Sequence, residues 1–285
     1  MEGNILFNIG EFNLYPLQGG ITNMDGGAMF GVVPRPLWTK KYPCNERNQI
    51  PLVCHPILIQ NNNHNMIIDT GVGNGKFTEK QKRNYGATYE SDIHGSLEQF
   101  NLTVDDIDIV IMSHMHFDHA CGLTTPDGQS VFKNAVIYTS QIEWNEMRAP
   151  NIRSKSTYWE ENHKNIEHQV VTFKDEFEVI PGITMKHTGG HSAGHSIIEI
   201  ESNGEKAVHM ADIFPTFAHL NPLWVTAYDD YPMDSINAKE RLIQKYIKEN
   251  YWFLFYHDIN HFAVKIDDET RKIKNDIRRD ELIEV

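Results

Sequence analysis

Short apolar runs rich in β-branched residues recur along the chain: His55 to Gln60, Met66 to Asp69, Ile107 to Met112, Ala135 to Thr139, Ile183 to His187, Ser196 to Ile200, Ala207 to Met210 and Trp252 to Tyr256. Their length and side-chain types predict strands. Helical patterns fall between some of them. Ser140-Gln141-Ile142-Glu143 has the spacing of a capping box and opens one helix. Asp234 caps another, on which Ile236, Ile243 and Ile247 share a face with Leu242 and Tyr246. Strands dominate, so layered sheets flanked by helices are expected. The charged segment beyond Ile266 reads as a last strand or helix at the surface. There is no internal repeat and no Pro/Gly/Ser linker, so residues 1–285 read as one domain with a charged tail from about 267.

Composition narrows the class. Of 285 residues, 40% are hydrophobic, enough for a large core, and 23% are charged and spread along the chain, which argues against wholesale disorder. No stretch approaches the roughly 18 apolar residues that span a bilayer. The N-terminus has no basic region followed by an apolar run, so no membrane association and a cytoplasmic location are expected. A net charge of −13 argues against nucleic acid as a partner. Cys44, Cys54 and Cys121 are an odd number without CxxC spacing, which fits free thiols in a reducing compartment. The 15 histidines are the outlier.

Four donors crowd into six residues, His114-Met115-His116-Phe117-Asp118-His119, directly after the strand ending at Met112 and Ser113. They cannot all converge from one regular element: His114 and His116 share a face of an extended chain, whereas Asp118 and His119 need the chain to turn. A strand that runs into a loop and then a helix start can present one pair to one ion and the second pair to a neighbouring ion. Four donors do not complete two sites, because zinc takes imidazole and carboxylate ligands and keeps a position for water. Three further candidates each follow a predicted strand. His191 lies in Thr188-Gly189-Gly190-His191-Ser192-Ala193-Gly194-His195, where glycines let the backbone approach a crowded centre. Asp212 and His257 follow the runs ending at Met210 and Tyr256.

The order HxHxDH, GGHSxGH, a lone Asp after a strand and a late His resembles the metallo-β-lactamase superfamily, over roughly residues 50 to 260. Asp69, in Ile67-Ile68-Asp69-Thr70-Gly71, matches that family's early aspartate, which orients a ligand. The resemblance implies an α/β (α+β) fold, a four-layer αββα sandwich with a dinuclear site at one edge of its sheets. It implies that His114, His116 and His191 bind a first ion, that Asp118, His119 and His257 bind a second, and that Asp212 bridges them. The cofactors are then two divalent metal ions, zinc first, with manganese, iron or cobalt as alternatives. His195 is expected to orient rather than ligate, and Cys121 to be a small buried residue. The implied chemistry is hydrolysis by water activated between ions about 3.5–4 Å apart, with Asp118 moving a proton and no Ser, Cys or Lys nucleophile.

Asp25 to Pro34 and Tyr228-Asp229-Asp230-Tyr231-Pro232 look like the quorum-quenching branch that opens the ring of acyl-homoserine lactones, as does the outline around Thr139-Ser140-Gln141 and Asn151-Ile152-Arg153. The substrate is then a small molecule with an apolar acyl part, which Met29, Phe30, Phe214, Phe217, Leu220, Trp224 and Tyr228 could bind; ordinary core packing competes for each of them. A homodimer through Asp25 to Pro34 is a further implication. One departure matters. The lactonases carry a Tyr three residues after the bridging Asp, where this chain has Pro215, leaving the metals, Tyr228 or His219 to polarise the carbonyl. A phosphotriester, carboxylester or thioester hydrolase is the alternative. A flavodiiron-type redox protein would replace a ligand His by an acid and add a flavin domain. A nuclease would add a domain and a basic groove, and this acidic chain has neither.

Overall fold

The computed structural model describes residues 6–279. The chain begins with β1 (Phe7–Ile9) and β2 (Phe12–Pro16), then makes a side pair, β3 (Ile21–Asp25) and β4 (Gln49–Val53), with α1 (Gly26–Phe30) and α2 (Arg35–Trp38) between them. It returns through β5 (Ile57–Gln60) and β6 (Asn65–Ile68), and α3 (Glu79–Tyr85) and α4 (Ile93–Glu98) lead to β7 (Ile109–Ile111). A single turn, α5 (Phe117–Ala120), precedes β8 (Val136–Ser140), α6 (Gln141–Arg148) and β9 (Val170–Phe173). The second half is β10 (Glu176–Ile180), β11 (Ile183–His187), β12 (Ser196–Ser202), β13 (Glu205–His209), α7 (Pro232–Lys248), β14 (Trp252–Leu254), β15 (His261–Ile266) and β16 (Ile273–Arg278).

These strands form two seven-stranded sheets, β1-β2-β5-β6-β7-β8-β9 and β10-β11-β12-β13-β14-β15-β16. The period of two in each strand sorts its side chains between layers. Ile57, Ile59, Met66, Ile68, Ile109 and Ile111 of the first sheet meet Ile183, Met185, Ile198, Ile200 and Leu254 of the second in one buried core. The opposite faces are covered too. Leu58, Ile67, Val110 and Ile137 pack under Leu97 of α4 and Trp144 and Met147 of α6. Val208, Phe253 and Val264 pack under Leu242, Ile243 and Tyr246 of α7. The result is the expected αββα sandwich, and it explains the uninterrupted apolar runs: a central strand here is buried on both faces.

Three local readings change. The helix assigned to an Asp234 cap begins earlier, with Pro232 in its first turn and Tyr231 at the cap position, so Asp234 lies inside the first turn. Ser140 does cap α6, accepting from Glu143 N–H at 3.0 Å, but the Glu143 side chain turns inward instead of returning to the cap. The tail beyond Ile266 contains β16, paired antiparallel with β15. Cys44, Cys54 and Cys121 are free thiols. No helix among the described residues is long and apolar enough to cross a membrane.

Candidate metal centre

Five strands deliver the site at one edge of the sandwich. Asp69 follows β6, the His114 to His119 segment follows β7, His191 follows β11, Asp212 sits in a 3-10 turn after β13, and His257 follows β14. The stretch from His114 to His119 turns as anticipated, with His116 extended at the cap position and α5 starting at Phe117. Gly190 must be glycine because its φ is 99° and a Cβ would lie 2.6 Å from Ser235 Oγ, at the start of α7.

All seven predicted donors come together. His114, His116 and His191 place one ring nitrogen each within 4.8 Å of one another, and ring nitrogens of His114 and His119 lie equally close to a carboxylate oxygen of Asp212. Asp212 stands between the groups. Its Oδ2 is 3.3 Å from His191 Nε2 and 3.9 Å from His114 Nε2, while its Oδ1 is 3.3 Å from both His119 Nε2 and His257 Nε2. Asp118 Oδ2 completes the second group, 3.6 Å from His257 Nε2 and 4.0 Å from His119 Nε2. Cys54 is an unanticipated neighbour, its thiol 3.9 Å from His257 Nδ1. Burial pushes that thiol up in the absence of metal, and its sulfur lies within 4.8 Å of donor atoms of Asp118 and His257, so Cys54 is a further candidate donor.

Outer hydrogen bonds fix which nitrogen is offered by the rings of His114, His119, His191 and His257. His119 Nδ1 faces Asp69 Oδ2 at 2.9 Å, His191 Nδ1 faces Asp229 Oδ1 at 2.9 Å, and His257 Nδ1 faces the Val53 carbonyl at 2.8 Å. These partners only accept, so each Nδ1 carries the proton and each Nε2 keeps a lone pair. His114 Nδ1 lies 3.1 Å from Ser113 Oγ, whose own proton goes to Asp69 Oδ2 at 2.7 Å. That leaves His114 Nε2 buried with no hydrogen-bond partner, and Asp212 Oδ1 is in the same position. In their neutral forms His119 and His257 therefore aim two lone pairs at each other across 3.2 Å. Such an arrangement needs a cation between its members.

The charges say the same. Burial opposes charge on His119, yet Asp212, Asp69 and Asp118 outweigh it and raise its pKa to about 10. His257 is raised to about 9 against the same burial, by Asp212 and Asp118. Burial would lift Asp212, but His257, His119 and His191 hold it well below the carboxylate range. The centre thus attracts positive charge, and its donor set of imidazole and carboxylate suits divalent metals such as zinc.

Of the supporting residues, Asp69 accepts from Ser113 N–H at 2.8 Å as well as from His119. His195 accepts from the Asp212 N–H at 3.2 Å through Nε2, and so holds the backbone of the shared carboxylate. Cys121 is fully buried and accepts from Asn162 Nδ2. Sequence reasoning overlooked Glu143 and Asp229, single acids in otherwise ordinary segments.

A cavity of about 320 Å³ opens on the donors, with His116, Asp118, His191, Asp212 and His257 in its lining. Met24, Met29, Leu52 and Phe117 form apolar wall, and Tyr85, Arg153, Ser154 and Tyr228 add polar groups. Tyr228 faces this cavity, as expected, with its phenol pushed up to about 12 by burial and by Asp25 and Asp118. His219 does not. Its ring is stacked on Phe30, with Nδ1 2.8 Å from Thr216 Oγ1 and Nε2 2.9 Å from the Met29 carbonyl, so it has no nitrogen to offer a substrate. Of the proposed acyl-contacting residues only Met29 and Tyr228 line this cavity. Phe30 and Phe214 are core, and Phe217, Leu220 and Trp224 border a separate groove. Met24, Leu52 and Tyr85 had no local signal, since the fold gathers them from distant segments.

Residues 50–248 match the family model of the metallo-beta-lactamase superfamily. The chain belongs to that superfamily. It is a metal-dependent hydrolase. A solved structure of a probable metal-dependent hydrolase from Staphylococcus aureus is 58% identical, covers 97% of this chain and 100% of its own, and superposes with a TM-score of 0.95. An N-acyl homoserine lactonase from Bacillus thuringiensis is 26% identical over 223 residues, 74% of this chain and 82% of its own. AidC, described as a dizinc quorum-quenching lactonase in complex with a product, shares the fold at 17% identity, with a TM-score of 0.80 over 99% of both chains.

Proposed function

We propose that the protein hydrolyses the lactone ring of acyl-homoserine lactones. Two zinc ions are held, one by His114, His116 and His191 and one by Asp118, His119 and His257, with Asp212 shared. The observation that carries this reading is the cavity, whose lining combines donors for cations with methionine, leucine and phenylalanine side chains. An amphiphilic ester, with a polar ring and an apolar arm, suits that division. The likeness to named lactonases supports the same substrate class.

Bound divalent ions supply Lewis acidity toward the carbonyl oxygen and lower the pKa of water. The chain's own residues do the rest. Asp118, whose side chain is partly open to the cavity, accepts a proton from the attacking water and returns it to the ring oxygen as the C–O bond breaks. The products are a carboxylate and an alcohol on one molecule. Tyr228 stays protonated at neutral pH and donates to the carbonyl oxygen as charge develops there, the task that Pro215 cannot perform. Arg153 pins the Tyr228 segment by donating to Asp230 Oδ1 at 2.8 Å and to the Asp229 carbonyl at 3.1 Å. The free cysteines keep a cytoplasmic location as part of this reading.

The test is a hydrolysis assay of the zinc-loaded protein over lactones of increasing acyl length, with simple esters and paraoxon-type triesters alongside. Lactones are expected to give the highest kcat/KM. Rapid triester turnover with inert lactones would replace this substrate by a phosphotriester.

A further inference from the structure

Glu143 lies in the first turn of α6 and is fully buried. Its Oε1 accepts from the Met115 N–H at 2.8 Å and from the Tyr158 hydroxyl at 2.9 Å, and its Oε2 accepts from the Ser192 hydroxyl at 2.6 Å. Met115 separates His114 from His116, and Ser192 follows His191. One carboxylate therefore spans the two loops that carry the first triplet, through the Met115 N–H on one and the Ser192 hydroxyl on the other. Tyr158 extends the link, because its ring packs against His116 with centroids 5.0 Å apart.

The start of α6 grips the His191 loop at further points. Ser140 Oγ donates to the Gly194 carbonyl at 2.6 Å, and Glu146 Oε2 accepts from the Ala193 N–H at 3.1 Å. Gly194 runs so close that a Cβ there would lie 2.0 Å from Glu143 N. A buried carboxylate without a cationic partner is a costly way to fill space, and an apolar side chain would pack there more cheaply. What the carboxylate offers instead is two acceptors at a fixed separation, aimed at two different loops.

We propose that Glu143 is a positioning residue that sets the spacing between the His114/His116 arm and the His191 arm, and so governs the affinity for the first ion without ligating it. The proposal rests on the metal assignment made above. It predicts an effect confined to one of the two ions, which a general loss of packing would not produce.

The experiment is zinc titration of metal-free protein against a chromophoric chelator, with cobalt absorption spectra to report each site's ligand field. Wild type, Glu143→Gln and Glu143→Met are compared, and thermal unfolding of the metal-free forms checks that each is folded. Glu143→Met is expected to weaken the first ion about 10–100-fold and leave the second unchanged. Glu143→Gln is expected to keep both within a few-fold, because its amide oxygen still accepts from Met115 and its NH₂ donates to the Ser192 hydroxyl. A folded Glu143→Met protein that binds two ions with wild-type affinity overturns the proposal, as does equal loss of both ions. If Glu143→Met does not fold, Ser192→Ala removes one of the three contacts: a selective, few-fold weakening of the first ion supports the proposal and no change overturns it. Wild-type protein that takes up no zinc would overturn the metal assignment itself, and this proposal with it.

Discussion

The Nδ1–H of His119 donates to the carboxylate of Asp69 across 2.9 Å, and the same carboxylate takes both the N–H and the hydroxyl of Ser113. Asp69 sits at a φ of 54°, in the left-handed region that Asp and Asn tolerate better than most residues. Asp69→Asn keeps that backbone but removes the charge and one acceptor. It is expected to weaken zinc about 10–100-fold, read as metal retained after dialysis against a graded chelator series. Wild-type retention would mean that His119 is oriented by its packing against Tyr256 alone.

Asp212 has one oxygen toward each group of imidazoles. Asp212→Ala is expected to abolish lactone turnover and the loading of both ions, seen by elemental analysis of purified protein. A variant with full activity and no metal would refute the two-ion scheme. Chelation of the wild-type protein is expected to lower its thermal midpoint, since ligands that bind only the folded state stabilise it.

Tyr228 and His219 should separate cleanly. Tyr228→Phe is expected to lower kcat on a lactone about 100-fold with KM little changed, as for loss of one donor to a developing oxyanion. Equal kcat would reduce Tyr228 to a piece of cavity wall. His219→Leu is expected to leave kcat per folded molecule nearly intact and to cost about 2 kcal/mol of stability, because Thr216 and the Met29 carbonyl lose a buried partner. Denaturant melts and initial rates together measure both.

Lys239 gives a pH signature. It is fully buried on α7, its ammonium donating to the Trp224 carbonyl at 2.6 Å, and burial lowers its pKa from 10.5 to about 7. Between those values the unfolded chain holds a proton that the folded chain lacks, so by linkage stability rises with pH across that window and is level in this respect below it. Lys239→Met removes the term. The stability difference between wild type and variant is expected to shift in favour of wild type as pH climbs from about 7 to about 10, measured by urea melts. A difference independent of pH would show that Lys239 is neutral or charged in both states.

The sequence was most legible where one residue type did one job. Ile109, Val110 and Ile111 are buried on both sheet faces, so the strand shows as an unbroken apolar run. β1 and β2 escaped notice because Asn8 and Asn13 alternate with core residues, and in β3 Thr22 and Asn23 interrupt the pattern. Four of the seven donors could be read because crowded His and Asp side chains have few other reasons to share six residues, and His191, Asp212 and His257 because each follows a strand in the order of the motifs. Among their supporters Asp69 and His195 were read with the motifs, but two others were not: Glu143 looks like half of a capping box, and Asp229 is one of two adjacent acids in the Tyr228 to Pro232 segment. His219 was misplaced for a related reason. A histidine near the site in sequence carries no mark of which way its ring faces, and here Phe30 and two local hydrogen bonds turn it away.

The donors divide between the two sheets, four following β7 of the first and three following β11, β13 and β14 of the second. During synthesis, therefore, the first half emerges with a partial set of donors, and His257 arrives only near the end. On the proposed two-ion reading, neither group of imidazoles closes until the second sheet has docked, and a nascent or truncated chain is expected to compete poorly for metal. Uptake of the ions is then expected to be a late step that reports completed assembly of the sandwich.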